Sequence, residues 1–203
     1  MLKHHYDQYH PEYDVWPLDA DTPRNFEGDD NPNRWVGSNV QDFIRGNGGN
    51  DTLYGQAGDR DDLFGGDGND LIYGGSGSDF IHGDSGRDRL FGGSGSDRLF
   101  GGVGNDVMTS GGGNDMFTFG VTTREEDRRF GLDVITDFEV GVDLIAFQAA
   151  VGRPAYFDDF DDLMRHTHND SSGNAIIRYN SNNIIRLIDV GKEDLSAEDF
   201  FFG

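Results

Sequence analysis

The sequence predicts an all-β solenoid, and three observations carry that prediction. The phrase GGSGSDFIH at residues 74–82 is followed at once by GDSGRDRLF and GGSGSDRLF, so one nine-residue pattern recurs in tandem. Each unit holds a single large apolar position, and a period of nine is too short for a helical repeat unit. Glycine supplies 31 of the 203 residues, roughly double the ~7% of ordinary usage, and apolar residues make up only 34%. A thin core between stacked coils suits these numbers; a thick conventional core does not.

Taken in order, residues 1–36 form a polar and aromatic leader, read as a flexible arm or an N-terminal cap. His4, His5, His10, Tyr6, Tyr9, Tyr13, Trp16 and Trp35 stand there among scattered prolines without a period. Three histidines at this spacing fit no familiar transition-metal ligand pattern.

Residues 37–118 are the repeat. Its sixth position is Asp42, Asp51, Asp61, Asp70, Asp79, Asp88, Asp97, Asp106 and Asp115, nine apart save for one step of ten. Two places later stand Ile44, Leu53, Leu63, Ile72, Ile81, Leu90, Leu99, Met108 and Phe117. Position four is glycine in every unit but the first, where Val40 stands. Each unit divides into a glycine-rich half-turn, positions one to six, and a short strand, positions seven to nine, with position eight facing inward. Two units complete one coil.

Residues 119–203 form a C-terminal, β-rich capping region with short helices. The alternating runs LDVITDF and VDLIAFQ, joined by EVG, predict a hairpin. A short helix over 156–168 would place Tyr156, Phe157, Phe160, Leu163 and Met164 on one apolar stripe. NAIIRY and NIIRLIDV predict a second strand pair around NSN, and Ser196 and Asp199 have the spacing of a capping box.

Charge narrows the partners. The 38 acidic and 16 basic residues leave a net charge of −22, which argues against nucleic acid and anionic membrane and for cations. There is no cysteine, so neither disulfides nor thiolate metal sites hold the fold. No apolar run approaches the ~20 residues of a membrane span. The start MLKHHYDQYH lacks the apolar core of a secretory signal peptide, so export would rely on another signal.

The half-turn itself points to a metal. Glycines at positions one, two and four permit positive φ and close backbone approach, so carbonyl oxygens can converge on one place. The aspartate adds a hard anionic oxygen. Carbonyls and carboxylates without imidazole or thiolate are the ligand set of Ca²⁺, which accepts six to eight oxygens in flexible geometry. Nine aspartates in register are far more than turn formation requires.

The pattern G-G-x-G-x-D-x-(large apolar)-x resembles the calcium-binding repeat of the RTX, or hemolysin-type, family. The tail segments DVITDFEVGVDLIAF and LSAEDFFFG are similar to the region after the repeats in secreted serralysin-type proteins, so the resemblance spans residues 37–203. It implies a right-handed parallel β-roll in which units two apart share an edge and a calcium ion lies between them. It further implies donors from the carbonyls of positions two and four and the aspartate of one unit. Positions one and three and the aspartate of the next unit on that edge supply the rest.

Carried onto this chain, one edge sets Asn47, Gly49 and Asp51 against Gly65, Asp67 and Asp70. Gly66, Gly68 and Asp70 then face Gly83, Ser85 and Asp88, while Asp84, Gly86 and Asp88 face Gly101, Val103 and Asp106. The other edge sets Gln56, Gly58 and Asp61 against Gly74, Ser76 and Asp79. There Gly75, Gly77 and Asp79 face Gly92, Ser94 and Asp97, and Gly93, Gly95 and Asp97 face Ser110, Gly112 and Asp115. About six calcium ions result. A further pair, Asp42 with Asp61, is weakened by the lost glycines of GSNVQD and the extra residue in GQAGDRD.

The resemblance implies a secreted, extracellular protein that passes through a type I secretion apparatus and folds on calcium outside the cell. Asp199 followed by Phe200, Phe201 and Phe202 resembles the acidic-then-apolar ending of such secretion signals, with Gly203 as an added last residue. The same phenylalanines could equally cap the last coil. No H-E-x-x-H, G-x-S-x-G or lysine-bearing phosphate loop is found, and His166 and His168 read as a solvated helix end, so no catalysis is expected. Two alternatives stand beside this reading. One is a C-terminal module of a larger secreted protease, lipase or polysaccharide epimerase; the other is a calcium-dependent binder of an extracellular polysaccharide.

Overall fold

A strand of three residues can bury only its middle side chain, and stacking such strands in parallel shares that side chain between neighbours above and below. The computed structural model describes residues 21–120, 130–148 and 157–202, and it is built in this way. The leader residues His4, His5, His10, Tyr6, Tyr9, Tyr13 and Trp16 lie outside the described residues, as does Tyr156.

The strands are β1 (Asn25–Glu27), β2 (Arg34–Val36), β3 (Phe43–Gly48), β4 (Thr52–Ala57), β5 (Asp62–Asp67) and β6 (Leu71–Ser76). They continue with β7 (Phe80–Gly86), β8 (Arg89–Ser94), β9 (Arg98–Phe100), β10 (Val103–Gly104), β11 (Val107–Gly112) and β12 (Met116–Phe119). After the repeat come β13 (Leu132–Ile135), β14 (Leu144–Phe147), helix α1 (Phe160–Arg165), β15 (Thr167–Asn169), β16 (Ala175–Arg178), β17 (Ile184–Leu187) and β18 (Phe200–Phe202).

Alternate units feed alternate sheets. One sheet runs β1-β3-β5-β7-β9-β12-β14-β18, with β10 beside β7, and the other runs β2-β4-β6-β8-β11-β13-β17-β16-β15. Every pairing among the described residues is parallel except β15 with β16 and β16 with β17. The register repeats unit on unit: Leu63 faces Ile44 and Ile81, and Ile72 faces Leu53 and Leu90. All nine position-eight residues from Ile44 to Phe117 are fully buried, so the inward assignment made from the period holds.

Position nine turns outward and is often aromatic. Tyr54, Tyr73 and Phe91 stack on one another at 5.1 and 4.8 Å between ring centroids, and the Arg34 guanidinium lies 5.0 Å over Tyr54. At the N-terminal end, Phe26 of β1 and Trp35 of β2 stack at 4.6 Å and pack against the core, so the sheets begin before residue 37.

The C-terminal region departs from one expectation. The runs expected to form a hairpin are split between the sheets: β13 pairs with β11 and β17, while β14 pairs with β12 and β18. The connection through Glu139–Val142 is a tight turn, with the N–H groups of Val142 and Asp143 both donating to the Glu139 carbonyl at 3.0 and 2.9 Å. The physical reason is the open end of the roll. A local hairpin would leave the edges of β11 and β12 unpaired, whereas one more coil satisfies both and buries Ile135 and Ile145. The strand pair around NSN does form a hairpin, β16 against β17.

Helix α1 is shorter than the 156–168 expected. Asp159 caps it by accepting the Asp162 N–H at 2.8 Å, and it ends at His166, beyond which β15 begins. Phe157 and Leu163 are buried, with Phe160 and Met164 packed against the core. Asp199 Oδ2 accepts the backbone N–H and the hydroxyl of Ser196 at 2.6 and 3.0 Å, and residues between them form a short 3₁₀ turn. No helix among the described residues is long and apolar enough to cross a membrane.

With one apolar residue per unit, each carries a large share of the core. Leu90→Ala should cost roughly 2–5 kcal/mol in chemical denaturation at saturating calcium. Leu132→Ala, at a half-exposed position of β13, should stay within about 0.5 kcal/mol. Similar losses for the two would contradict the inward register.

Candidate metal centre

Each half-turn must bring an aspartate back against the next coil on its own edge. The position-six aspartates are all buried, at 0–2% exposure, although carboxylates ordinarily stay in water. They form two ladders. On one edge the Asp51 N–H donates to Asp70 Oδ1 at 2.7 Å, Asp70 to Asp88 at 2.8 Å, and Asp88 to Asp106 at 2.9 Å. On the other edge Asp61 donates to Asp79 at 2.9 Å, Asp79 to Asp97 at 2.8 Å, and Asp97 to Asp115 at 2.8 Å. The structure thus brings together the aspartate pairs that the family resemblance placed on common edges.

The second carboxylate oxygen is the telling one. Oδ2 of Asp51, Asp61, Asp70, Asp79, Asp88, Asp97, Asp106, Asp115 and Asp133 is buried and accepts no hydrogen bond. A buried anionic oxygen without a partner carries its full desolvation cost. One such atom would be a local defect; nine in register form two rows of oxygens arranged to receive positive charge.

Carbonyl oxygens surround them. A Cβ added to Gly65 would collide with Asp70 Oδ2 and stand 2.8 Å from the Gly83 carbonyl oxygen, and one on Gly74 would meet Asp79 Oδ2 and the Gly92 carbonyl. Position one is therefore glycine in every unit but the last, where Ser110 stands, because from Gly46 to Gly92 the aspartate Oδ2 of the same unit and the position-one carbonyl of the next unit on that edge converge beside its Cα. At position four, a Cβ on Gly86 would collide with the Gly68 carbonyl and stand 3.4 Å from Asp88 Oδ1. Gly68 and Gly86 adopt φ of 144° and 148°, which only glycine tolerates readily. At position two, Asn47, Gln56 and Asp84 take positive φ of 73°, 85° and 70° in place of glycine. This donor set, all carboxylate and carbonyl, fits a hard divalent cation of calcium's size.

Position three is partly engaged already. The carbonyls of Ser76, Ser85, Ser94 and Gly112 accept the N–H of Gly58, Gly68, Gly77 and Gly95 at 2.8–3.1 Å. A carbonyl has a second lone pair, so this bond ties successive turns without removing the oxygen from the donor set.

Burial and neighbouring charge raise the carboxyl pKa values. With only protein groups around them, burial lifts Asp88 to about 8, Asp61 and Asp97 to about 7, and Asp70 and Asp106 to about 6, against hydrogen bonds that pull downward. Burial likewise raises Asp51, Asp79 and Asp133.

The ladders reach beyond the repeat. Asp42 donates to Asp61 Oδ1 at 2.8 Å, but its own Oδ2 is held by Ser38, whose N–H lies 2.5 Å away. Asn33 donates its N–H to Asp51 Oδ1 at 2.7 Å, Asp106 to Asp133 at 2.9 Å, and Asp115 to Asp143 at 3.0 Å. Sequence reasoning missed Asn33, Asp133 and Asp143. The signal was present: Asn33-Arg34-Trp35, Asp133-Val134-Ile135 and Asp143-Leu144-Ile145 each repeat the polar residue two places before a core residue. It was hidden because Asp133 and Asp143 lie 27 and 28 residues beyond their partners instead of eighteen.

His166 and His168 do not join any of this; both are exposed, and His166 Nδ1 sits 2.8 Å from the Asp162 carbonyl.

Comparison with known proteins bears on the repeat. Residues 36–59, 58–90 and 82–117 match the RTX calcium-binding nonapeptide repeat, which the family description gives as four copies. This part of the chain therefore consists of RTX calcium-binding repeats. No curated protein matches the chain. Among solved structures, the extracellular lipase LipA from Serratia marcescens aligns at 17% identity with a TM-score of 0.38, covering 87% of this chain and 41% of the lipase. The AlgE6R3 subunit of the Azotobacter vinelandii mannuronan C5-epimerase aligns at 21% identity with a TM-score of 0.33, covering 86% of this chain and 80% of that one. The chain thus spans less than half the length of the lipase.

The raised carboxyl pKa values give a signed expectation. A carboxyl whose folded-state pKa exceeds its unfolded value near 4 supports the fold fully only below that value. That support is lost as pH rises through about 6 to about 8. In chelator, far-ultraviolet circular dichroism should therefore show more ordered strand at about pH 5 than at about pH 8. In calcium the order reverses, because protons compete with the cation for the same oxygens. A chelated protein that gains strand as pH rises would contradict this account.

Proposed function

We propose that calcium ions lie between successive turns on both edges of the roll and that their binding folds the protein. The observation that carries this is the register of buried Oδ2 atoms with no partner, those of Asp51, Asp61, Asp70, Asp79, Asp88 and Asp97 each converging with the position-one carbonyl of the next turn beside a glycine. In each of six sites the ligands are the position-two and position-four carbonyls and the aspartate of one unit, with the position-one and position-three carbonyls and the aspartate of the next. Asn47, Gln56 and Asp84 serve through their main-chain oxygens at position two. Without the cation, like charges are stacked in a chain of net charge −22, and the glycine-rich half-turns lose much entropy on ordering. Binding free energy then appears as folding free energy.

The working place of such a protein is outside the cell. Extracellular calcium modules bind at about 10⁻⁴ to 10⁻³ M, far above resting cytosolic levels, so the chain stays unfolded until exported. An unfolded chain suits passage through a type I secretion apparatus, for which Asp199–Phe202 is the signal in this reading. The role is structural and calcium-binding, without catalysis of its own.

In EDTA, circular dichroism and small-angle scattering should show an expanded chain that becomes compact and strand-rich at ~1 mM calcium. An equally compact chain in EDTA would refute the proposal.

The sites also differ in weight. Asp88 serves two of them in the middle of the stack, whereas Asp42 already has Ser38 as a protein partner for its Oδ2. Asp88→Ala should raise the calcium midpoint of folding clearly more than Asp42→Ala, since an interior defect breaks two interfaces of a solenoid. Equal shifts would dismiss this assignment.

A further inference from the structure

We infer that the roll holds one more cation outside the nonapeptide repeat, between Asp106 and Asp133, and that this ion fastens the C-terminal region to the repeat. The inference rests on the calcium reading of the repeats and extends it to a segment that the repeat family does not cover, since the match ends at residue 117.

The aspartate pair and the position-four contact of the repeat recur there. Asp106 Oδ2 and Asp133 Oδ2 are both buried and without a hydrogen-bond partner, and Asp133 is 1% exposed. The Asp106 N–H donates to Asp133 Oδ1 at 2.9 Å, the bond that joins every aspartate pair within the repeat. Gly131 stands two residues before Asp133, as position four stands before position six, and has a φ of 80°. A Cβ on Gly131 would collide with the Gly104 carbonyl and approach Asn105 Oδ1 to 2.9 Å. A Cβ on Gly68 meets the Gly49 carbonyl and Asn50 Oδ1 in the same way. By register the donors are Asp106, Asp133 and the carbonyl oxygens of Gly102, Gly104 and Phe130. They again form a set of hard oxygens suited to a calcium ion.

The other edge ends differently. Asp143 Oδ1 accepts the Asp115 N–H, but Asp143 Oδ2 is held by the Glu139 N–H at 2.9 Å, and nothing lies within 4 Å of a Cβ on Gly141, its position-four glycine. There the main chain closes the ladder, as Ser38 closes it at Asp42. The ion between Asp106 and Asp133 has a structural consequence, because β13 carries Asp133 and pairs directly with β17. Filling this site orders β13, and through it the hairpin of β16 and β17.

The test is a count of bound calcium on the full chain by native mass spectrometry in a volatile calcium buffer, for the wild type, Asp133→Asn and Asp143→Asn. The expected result is one ion fewer on Asp133→Asn, with the repeat still ordering on calcium, and an unchanged count on Asp143→Asn. Hydrogen exchange should then show faster exchange in β13 and β17 of Asp133→Asn while β5 to β8 stay protected. Equal counts for wild type and Asp133→Asn overturn the proposal, as does an ion lost by Asp143→Asn alone. If Asp133→Asn does not order, more than six ions on both the wild type and Asp143→Asn supports the site, and six or fewer overturns it. A wild type that binds no calcium overturns the repeat reading itself, which separates that failure from the failure of this site alone.

Discussion

A buried carboxylate oxygen with nothing to bond is the constraint on which the rest of this structure turns. From Asp61 to Asp115, each position-six aspartate spends Oδ1 on the N–H of its counterpart one coil earlier, and this bond sets the vertical register of the edge. From Asp51 to Asp97 the Oδ2 is left unbonded beside a main-chain carbonyl of the next turn, so the protein places negative charge next to negative dipoles. Such an arrangement is costly with protein groups alone and favourable once a divalent cation is shared between two turns. The fold and the ligand are therefore one problem.

The ends of the ladders show the same rule from the opposite side. Where a turn cannot supply the full set of oxygens, a main-chain N–H takes the cation's place: Ser38 at Asp42 and Glu139 at Asp143. Where the set is complete, no N–H reaches Oδ2. Side-chain satisfaction thus distinguishes a closing turn from a binding turn, a distinction that the identity of the aspartate alone does not make.

The core is thin, and this explains why so much of the chain outside the repeat is committed to its ends. A single row of aliphatic side chains from Ile44 to Met108, closed by Phe117, fills the interior, and each end of that row would face water. Phe26 and Trp35 close one end, and a cluster of Phe119, Phe130, Phe147, Phe157 and Phe200 thickens the other. Edge strands are covered by the same stroke, since β18 pairs with β14 and β17 with β13.

Much of this was legible in the sequence. The nine-residue period and the apolar residue two places after each aspartate determined a solenoid of two units per coil with position eight inward, and the resemblance of the repeat to the RTX family implied the parallel stacking and the pairing of Asp51 with Asp70 or Asp79 with Asp97. A strict period carries three-dimensional information because each unit repeats the same local geometry. The period fails at residue 118, and there the sequence determined less. LDVITDF and VDLIAFQ carry strand propensity but not the identity of their partners, because pairing is decided by which sheet edges are left open when the chain arrives. Only the tertiary structure placed these runs on opposite sheets, put Asp133 and Asp143 at the ends of the ladders, and showed that a backbone N–H closes the second of them but not the first. That outcome depends on contacts across 27 residues and more, where loop length no longer fixes register and burial of Ile135 and Ile145 does.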